Sequence, residues 1–300
     1  MELVEFDWTL YWFMFPVAIC VATTAMLSGI GGAAIFAPIF MIVFPILGPD
    51  YPFENIAAAI GVALLTEFFG FSSGFIGYYR KRLIDYKSAI PFILVGVPVG
   101  IFGALLLTSL EEFEEMLRGI YGSLMLVLSV VLIRQETSAN KLYGVKESVD
   151  SNIVKKTNKI FITGRDGTKY TYNKPKQSFG GITTTSVGGF LTGLLGVGIG
   201  EVVMPNLVKR NRFPIPVAAA TSVFVVIVVV AAASFTQISS LVAQGGLKAV
   251  PWNVIIYTVP AVIIGGQIGP RLQGRISQHT MERSIGYLFL LIGISMSYIA

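Results

Sequence analysis

The chain has 300 residues, of which 54% are hydrophobic and 13% are charged, about half the charged share of an average soluble domain. With a mean hydropathy of +0.72, this composition excludes a disordered chain, a nucleic-acid-binding domain and most soluble enzymes, and it predicts an all-α polytopic membrane protein. A single cysteine (Cys20) and a single histidine (His279) exclude a disulfide framework and a thiolate or multi-histidine metal site. We therefore expect neither a bound metal nor a cofactor.

Apolar stretches divide the chain into candidate membrane spans, each of which needs ~20 residues to cross ~30 Å of hydrocarbon. Candidates of that length are, in chain order, residues 9–28, 55–79, 88–110, 116–133, 215–240, 250–270 and 284–300. Two shorter stretches, 33–46 and 200–208, each follow a glycine-rich break, at 29–32 and 193–200. This pattern predicts re-entrant-like hairpins that turn inside the membrane, and a tight hairpin of two full helices is the alternative.

Residues 134–178 form a polar insert between two apolar halves, 1–133 and 179–300. The insert holds 14 charged residues in 45 positions. Within it, Asp166-Gly167 supplies the left-handed angles of a tight turn between segments rich in Ile, Phe, Thr and Tyr, which predicts a β-hairpin over 160–173. The insert is either a tether that joins the halves or a cytoplasmic gate or docking element.

The two halves share a weak internal repeat. Segment 29–38 matches 196–205 at an offset of 167 residues, and three further blocks follow in the same order with offsets of 161–166. One hairpin and three crossings in each half would insert the second half with inverted topology. With both termini outside, 20 of the 22 basic residues, including the whole insert, lie on the cytoplasmic side, as the positive-inside rule requires. The acidic N-terminal segment is unlike a cleavable signal peptide.

Two glycine-rich motifs, SGIGGAAIFAP (28–38) and LGVGIGEVVMP (195–205), are the main candidates for a site. The N–H groups freed by each break and the positive end of the short helix that follows favour an anion. We expect the two breaks to form one anion site near the middle of the membrane. Alternatively, the glycines only allow close helix packing. The candidate substrate-binding glycines are Gly29, Gly31, Gly32, Gly196, Gly198 and Gly200.

Polar residues inside the spans extend this hypothesis. Glu67 and Glu201 are the ionisable residues within the membrane segments, where such residues are costly and usually functional, so we expect them to couple the anion to protons. The alternatives are a hydrogen bond to a neighbouring helix for Glu67 and an N-terminal cap for Glu201. Thr221, Ser222 and Asn206 are uncharged donors for an anion, although the hydroxyls could instead bond to their own helix.

Together these motifs resemble the sulfite exporter TauE/SafE family of membrane transporters. The resemblance covers roughly 10–133 and 179–300. It also rests on the alanine-rich stretch before Thr221-Ser222. The first half lacks this Thr-Ser pair and has Ile60-Gly61 at the equivalent place. It implies movement of a sulfur-containing anion, such as sulfite, sulfoacetate or a related organosulfonate, across the cytoplasmic membrane. The family-like residues are Gly29, Gly31, Pro38, Gly196, Gly198 and Pro205.

The favoured interpretation is a secondary transporter that works by alternating access, with no catalytic residues. An uncoupled anion channel and a non-transporting membrane receptor or assembly factor are the alternatives. An intramembrane protease is disfavoured, because His279 is predicted to lie at a membrane end beside Arg275 and Arg283 and no Gly-x-Gly-Asp motif is present. The expected partners are a small inorganic or organosulfur anion and membrane lipid, with no nucleic acid, and the oligomeric state is left open.

Overall fold

The computed structural model describes residues 7–51, 53, 55–110, 113–134, 159–173, 179–272 and 278–299. The described residues are almost entirely helical, with one two-stranded sheet. The fold is therefore the all-α membrane class that the composition predicts.

The helices alternate between long apolar spans and short broken segments. In chain order they are α1 (Met14–Ser28), α2 (Ala33–Pro38), α3 (Phe44–Leu47), α4 (Ile56–Lys81), α5 (Tyr86–Ser109), α6 (Glu114–Arg134), α7 (Phe179–Leu195), α8 (Ile199–Pro205), α9 (Ile215–Gly245), α10 (Trp252–Leu272) and α11 (Gln278–Ile299). Five-residue π-helical turns continue α2 (Ile39–Val43) and α8 (Asn206–Arg210), and a 3-10 turn (Gly246–Ala249) follows α9.

Five helices among the described residues, α4, α5, α6, α9 and α10, are long and apolar enough to cross a membrane. The predicted span 9–28 is too long, because α1 begins only at Met14. The N–H and hydroxyl of Thr9 donate to the Asp7 carboxylate, and such local bonds compete with a helix. Pro16 then lies in the first turn of α1, where the missing N–H costs nothing. The 15 residues of α1 rise ~22 Å.

The chain separates into two compact units. The first unit, Met1–Glu112 with Ile160–Gln273, holds every candidate site residue. The second unit, Phe113–Lys159 with Gly274–Ala300, contains α6 and α11 packed along each other. Their contact is close, since a Cβ added to Gly122 would lie 2.9 Å from the Cβ of Met296.

Helices from the two halves of the sequence interlock within the first unit. α1 packs on α10 and α7 packs on α5, so each broken hairpin lies against a helix of the other half. α4 and α9 pack on each other. In addition, α4 packs on α10, and α9 packs on α5. Small residues make these contacts close: a Cβ added to Gly265 would lie 2.6 Å from the Ile19 carbonyl oxygen, and one on Gly189 would lie 2.9 Å from that of Gly96.

Strands β1 (Lys159–Thr163) and β2 (Lys169–Asn173) form a hairpin whose turn contains Asp166-Gly167. The backbone N–H of Arg165 donates to the Lys81 carbonyl at the end of α4, 3.1 Å away. The rest of the insert (135–158 and 174–178) and the side chain of His279 lie outside the described residues.

Tyr172 of β2 fixes the hairpin to the start of α5. Its hydroxyl donates to Asp85 Oδ2 over 2.8 Å, and its ring centroid lies 4.1 Å from that of Phe213. Burial, together with the hydrogen bond to Asp85, raises the pKa of Tyr172 well above its ordinary value. The hydroxyl therefore stays a donor across the physiological pH range.

Candidate functional site

Each glycine-rich break begins with a glycine whose left-handed backbone ends the preceding helix. Gly29 has φ +73° and ends α1, and Gly196 has φ +76° and ends α7. The N–H of each donates over 2.9 Å to the carbonyl four residues earlier, on Ala25 and Thr192. Glycine adopts these angles without the strain that a Cβ would cause. The two preceding helices therefore end in the same way at equivalent places in the two halves, whereas further along the breaks differ, because Gly198 has φ +142° and its equivalent Gly31 has no positive φ.

The two breaks also lie against each other. A Cβ added to Gly200 would lie 3.3 Å from the Gly29 carbonyl oxygen and 3.4 Å from the Gly31 nitrogen. One added to Gly196 would lie 3.3 Å from the Cβ of Ala33. The structure thus brings the predicted glycines of both motifs to one place, where added bulk would separate the breaks.

The carboxylate of Glu201 joins the two breaks. Its Oε1 accepts a hydrogen bond from the Gly31 N–H at 3.1 Å, and its Oε2 accepts one from the Gly198 N–H at 2.9 Å. Gly31 and Gly198 are equivalent residues of the two motifs, 167 positions apart. The bond to Gly198 is the N-terminal cap considered from the sequence, whereas the bond to Gly31 reaches into the other half.

Glu67 of α4 lies beside the same glycine. It is 3% exposed, and its Oε2 accepts a hydrogen bond from the Ala33 N–H at 2.8 Å. A Cβ added to Gly31 would lie 3.1 Å from Glu67 Oε1 and 3.5 Å from Glu201 Oε1. Two carboxylates this close are coupled, because the charge of one affects proton loss from the other.

Two hydroxyls that the sequence analysis does not single out accept further N–H groups of the breaks. Thr192 Oγ1 accepts from the Ile199 N–H at 2.8 Å, and Ser28 Oγ accepts from the Ile30 N–H at 3.2 Å. Each hydroxyl lies in the last turn of the helix before its break. Ser28 directly precedes Gly29, whereas Thr192 lies four residues before Gly196, so the offset that relates the two motifs does not pair these hydroxyls and gave no signal for them.

The other predicted polar residues make different contacts. Thr221 Oγ1 accepts from the Asp85 N–H at 3.0 Å, at the start of α5. The Ser222 hydroxyl bonds back to its own helix, and Asn206 Nδ2 donates to Thr184 Oγ1 over 3.4 Å. Among the described residues, no hydrogen bond links these three side chains to the breaks, so their substrate-binding role stays a prediction.

Long apolar helices, with irregular backbone at the breaks buried among them, define a polytopic membrane protein with an internal polar site. A family model described as "Sulfite exporter TauE/SafE" matches residues 14–296. The chain belongs to this family, which confirms the resemblance noted in its motifs.

Three curated relatives cover nearly the whole chain. It is 26% identical over 281 residues to the "Probable membrane transporter protein YunE" of Bacillus subtilis (strain 168), covering 92% of this chain and 93% of that protein. It is 22% identical over 290 residues to the "Probable membrane transporter protein MJ0441" of Methanocaldococcus jannaschii (93% and 92%), and 22% over 271 residues to a "Probable membrane transporter protein" of Xylella fastidiosa (89% and 87%). No solved structure shows significant similarity to the chain. The family and these relatives indicate a membrane transporter.

Proposed function

We propose that the protein is a proton-coupled secondary transporter that moves a small sulfur-containing anion, such as sulfite, sulfoacetate or a related organosulfonate, across the cytoplasmic membrane. The observation that carries this proposal is the convergence of two equivalent N–H donors, from Gly31 and Gly198, on the Glu201 carboxylate. A sulfonate or sulfite group needs donors of the same kind for two of its oxygens. The Glu201 carboxylate therefore stands where the cargo would bind.

The cargo and a charged Glu201 compete for these donors. Two like unit charges 4 Å apart repel by about 4 kcal/mol at an effective dielectric constant near 20. Protonation of Glu201 removes this repulsion and weakens its bonds to Gly31 and Gly198, because a neutral acceptor is weaker than a charged one. Anion binding and proton binding therefore favour each other. Glu67 is the neighbouring carboxylate to which the proton can pass.

The close packing of the breaks supports alternating access rather than an open channel. The cavity beside Glu67 measures about 10 Å³, which is room for about one water molecule. A sulfonate needs more space, so the halves must move before it binds. The crossed packing of α1 on α10 and of α7 on α5 supports the division into inverted repeats 1–133 and 179–300.

We place both termini outside and residues 134–178 in the cytoplasm, on the positive-inside rule. Val145→Cys in a Cys20→Ser background should react with an impermeant thiol reagent only after the cells are permeabilised. If the reagent labels intact cells, the orientation is the reverse of the proposed one, with residues 134–178 outside.

The proposed coupling is tested by the affinity for anions as a function of pH, measured on the purified full-length protein with sulfoacetate, sulfite, thiosulfate and sulfate. Wild-type affinity for sulfoacetate, whose sulfonate keeps its charge, should rise as pH falls, by up to about tenfold per unit for one coupled proton. Glu201→Gln should bind with an affinity that does not change with pH. Glu115→Gln, which alters an exposed carboxylate of α6, should behave like wild type.

The alternatives make different predictions in the same assay. Flat wild-type affinity from pH 5 to 8 would contradict proton coupling and favour an uncoupled anion channel. Failure of every anion to bind at any pH would contradict the cargo class and favour a receptor or assembly factor.

A further inference from the structure

A basic cavity of about 470 Å³ lies at the end of α4, and it shares no lining residue with the site at the breaks. This volume is within the range of small-molecule sites. The residues that line it are Tyr79, Arg80, Arg82, Ile84, Tyr86 and Arg165. Three arginines from two distant segments therefore line one cavity.

Docking of the hairpin builds this cavity. The N–H of Arg165 donates to the Lys81 carbonyl at 3.1 Å, which fixes the hairpin turn beside the last turn of α4. The bond from Tyr172 to Asp85 holds the second strand at the start of α5. Because both contacts are specific, the approach of Arg165 to the arginines of α4 is part of the fold.

The acidic residues nearest these arginines in sequence are engaged elsewhere. Asp166 accepts hydrogen bonds from the N–H and hydroxyl of Thr168 at 3.1 and 2.8 Å. Asp85 accepts from Tyr172 and from the N–H of Ser88. In the part of the chain that the structure describes, Arg80, Arg82 and Arg165 form no ion pair. Their mutual repulsion favours an anion in the cavity.

Beside the cavity, α4 and α5 each carry exposed apolar side chains one helical turn apart, which together we call the apolar surface. They are Ile76 and Tyr79 on α4, with exposed fractions of 43% and 61%, and Tyr86 and Ile90 on α5, with 42% and 50%. In a membrane-spanning helix such side chains face the acyl chains of lipids. Tyr79 and Tyr86 belong both to this surface and to the cavity, and tyrosine is typical of the level of the lipid headgroups.

We infer that this cavity binds the phosphate of an anionic phospholipid headgroup, with the acyl chains lying along the surface formed by Ile76, Tyr79, Tyr86 and Ile90. The planar guanidinium groups suit a phosphate because they can donate two parallel hydrogen bonds. A free phosphate or sulfate has the same oxyanion chemistry but makes no use of the apolar surface. The inference does not depend on the transported anion or on proton coupling.

Native mass spectrometry of the full-length protein in mild detergent tests this site, with phosphatidylglycerol, phosphatidylcholine and inorganic phosphate as probes. One phosphatidylglycerol per chain should remain bound under conditions that remove phosphatidylcholine. The double variant Arg82→Gln/Arg165→Gln should lower its affinity roughly tenfold or more, because two charge-assisted contacts are lost. Lys87→Gln, which removes an exposed charge of α5 that does not line the cavity, should leave the affinity unchanged.

Three results would overturn the inference: equal retention of both lipids by wild type, an equal loss of affinity in Lys87→Gln, or binding of inorganic phosphate without binding of phosphatidylglycerol. If the double variant does not fold, Arg165→Gln alone, in the exposed hairpin turn, should give a smaller loss in the same direction, and no loss contradicts the site. If the wild-type protein binds the lipid but does not transport sulfoacetate, the result contradicts only the proposed function.

Discussion

Replacement of Gly31 by alanine tests whether the site depends on the two carboxylates beside it. The new Cβ would lie 3.1 and 3.4 Å from the oxygens of Glu67 and 3.5 Å from Glu201 Oε1. At the shortest of these distances the Glu67 carboxylate must move by a few tenths of an ångström. That shift disturbs the 2.8 Å hydrogen bond from the Ala33 N–H to Glu67 Oε2, and a hydrogen bond to a charged group contributes about 1.5–3 kcal/mol.

We expect Gly31→Ala to lower anion transport by roughly 10- to 150-fold, which is this energy range converted at about 1.4 kcal/mol per tenfold change. The variant should still fold, because Gly31 does not have a positive φ. The assay is uptake of labelled sulfoacetate into proteoliposomes, normalised to inserted protein.

Gly32→Ala is the matched control, one residue further along the same break. Its Cβ would meet Ala25 Cβ at 3.7 Å and Glu67 Cγ at 3.8 Å, and its φ of −64° suits alanine. Transport by this variant should stay near wild type. If Gly31→Ala and Gly32→Ala transport equally well, or are equally impaired, the carboxylates do not account for the effect and the reasoning is refuted.

Two further substitutions test the supports of the site and of the hairpin. Thr192→Val leaves the buried N–H of Ile199 without its acceptor, so the free energy of unfolding should fall by about 1–3 kcal/mol and the unfolding temperature should fall with it. The control Thr183→Val removes an exposed hydroxyl and should change the unfolding temperature little. Equal shifts in the two variants would contradict the role of Thr192. Tyr172→Phe removes the bond to Asp85 and should speed amide hydrogen exchange in β1 and β2, and unchanged exchange would argue against docking. Because the pKa of Tyr172 is raised, wild-type docking should be fully present below about pH 10 and be lost only above it.

The fold class follows from composition, because lipid imposes the same apolar pattern on every span. The family was predicted from the resemblance of the two glycine motifs and of the alanine-rich stretch before Thr221-Ser222, and the family match over residues 14–296 confirms it. The predicted start of the first span at residue 9 was wrong. The hydrogen bonds from Thr9 to Asp7 compete with a helix there, and an average of hydropathy over many residues does not detect such local bonds.

The site was predictable only in part. Glycine motifs show where backbone donors become free, and Glu67 and Glu201 are conspicuous as carboxylates inside spans. Their arrangement depends on contacts between residues far apart in sequence, such as Gly31 with Glu201, which the packing of the two halves decides. The same holds for Thr221, whose hydroxyl accepts a bond from Asp85 in the other half.

The central claim is that the bound anion accepts the hydrogen bonds that the N–H groups of Gly31 and Gly198 otherwise donate to Glu201, while a proton neutralises the Glu201 carboxylate. The most direct test is proton uptake by the purified full-length protein when sulfoacetate is added in weak buffer near neutral pH, followed with a soluble pH indicator. Wild type should take up about one proton for each anion bound, and Glu201→Gln should bind the anion without proton uptake. Anion binding by wild type without proton uptake, or uptake that persists in Glu201→Gln, would contradict the claim.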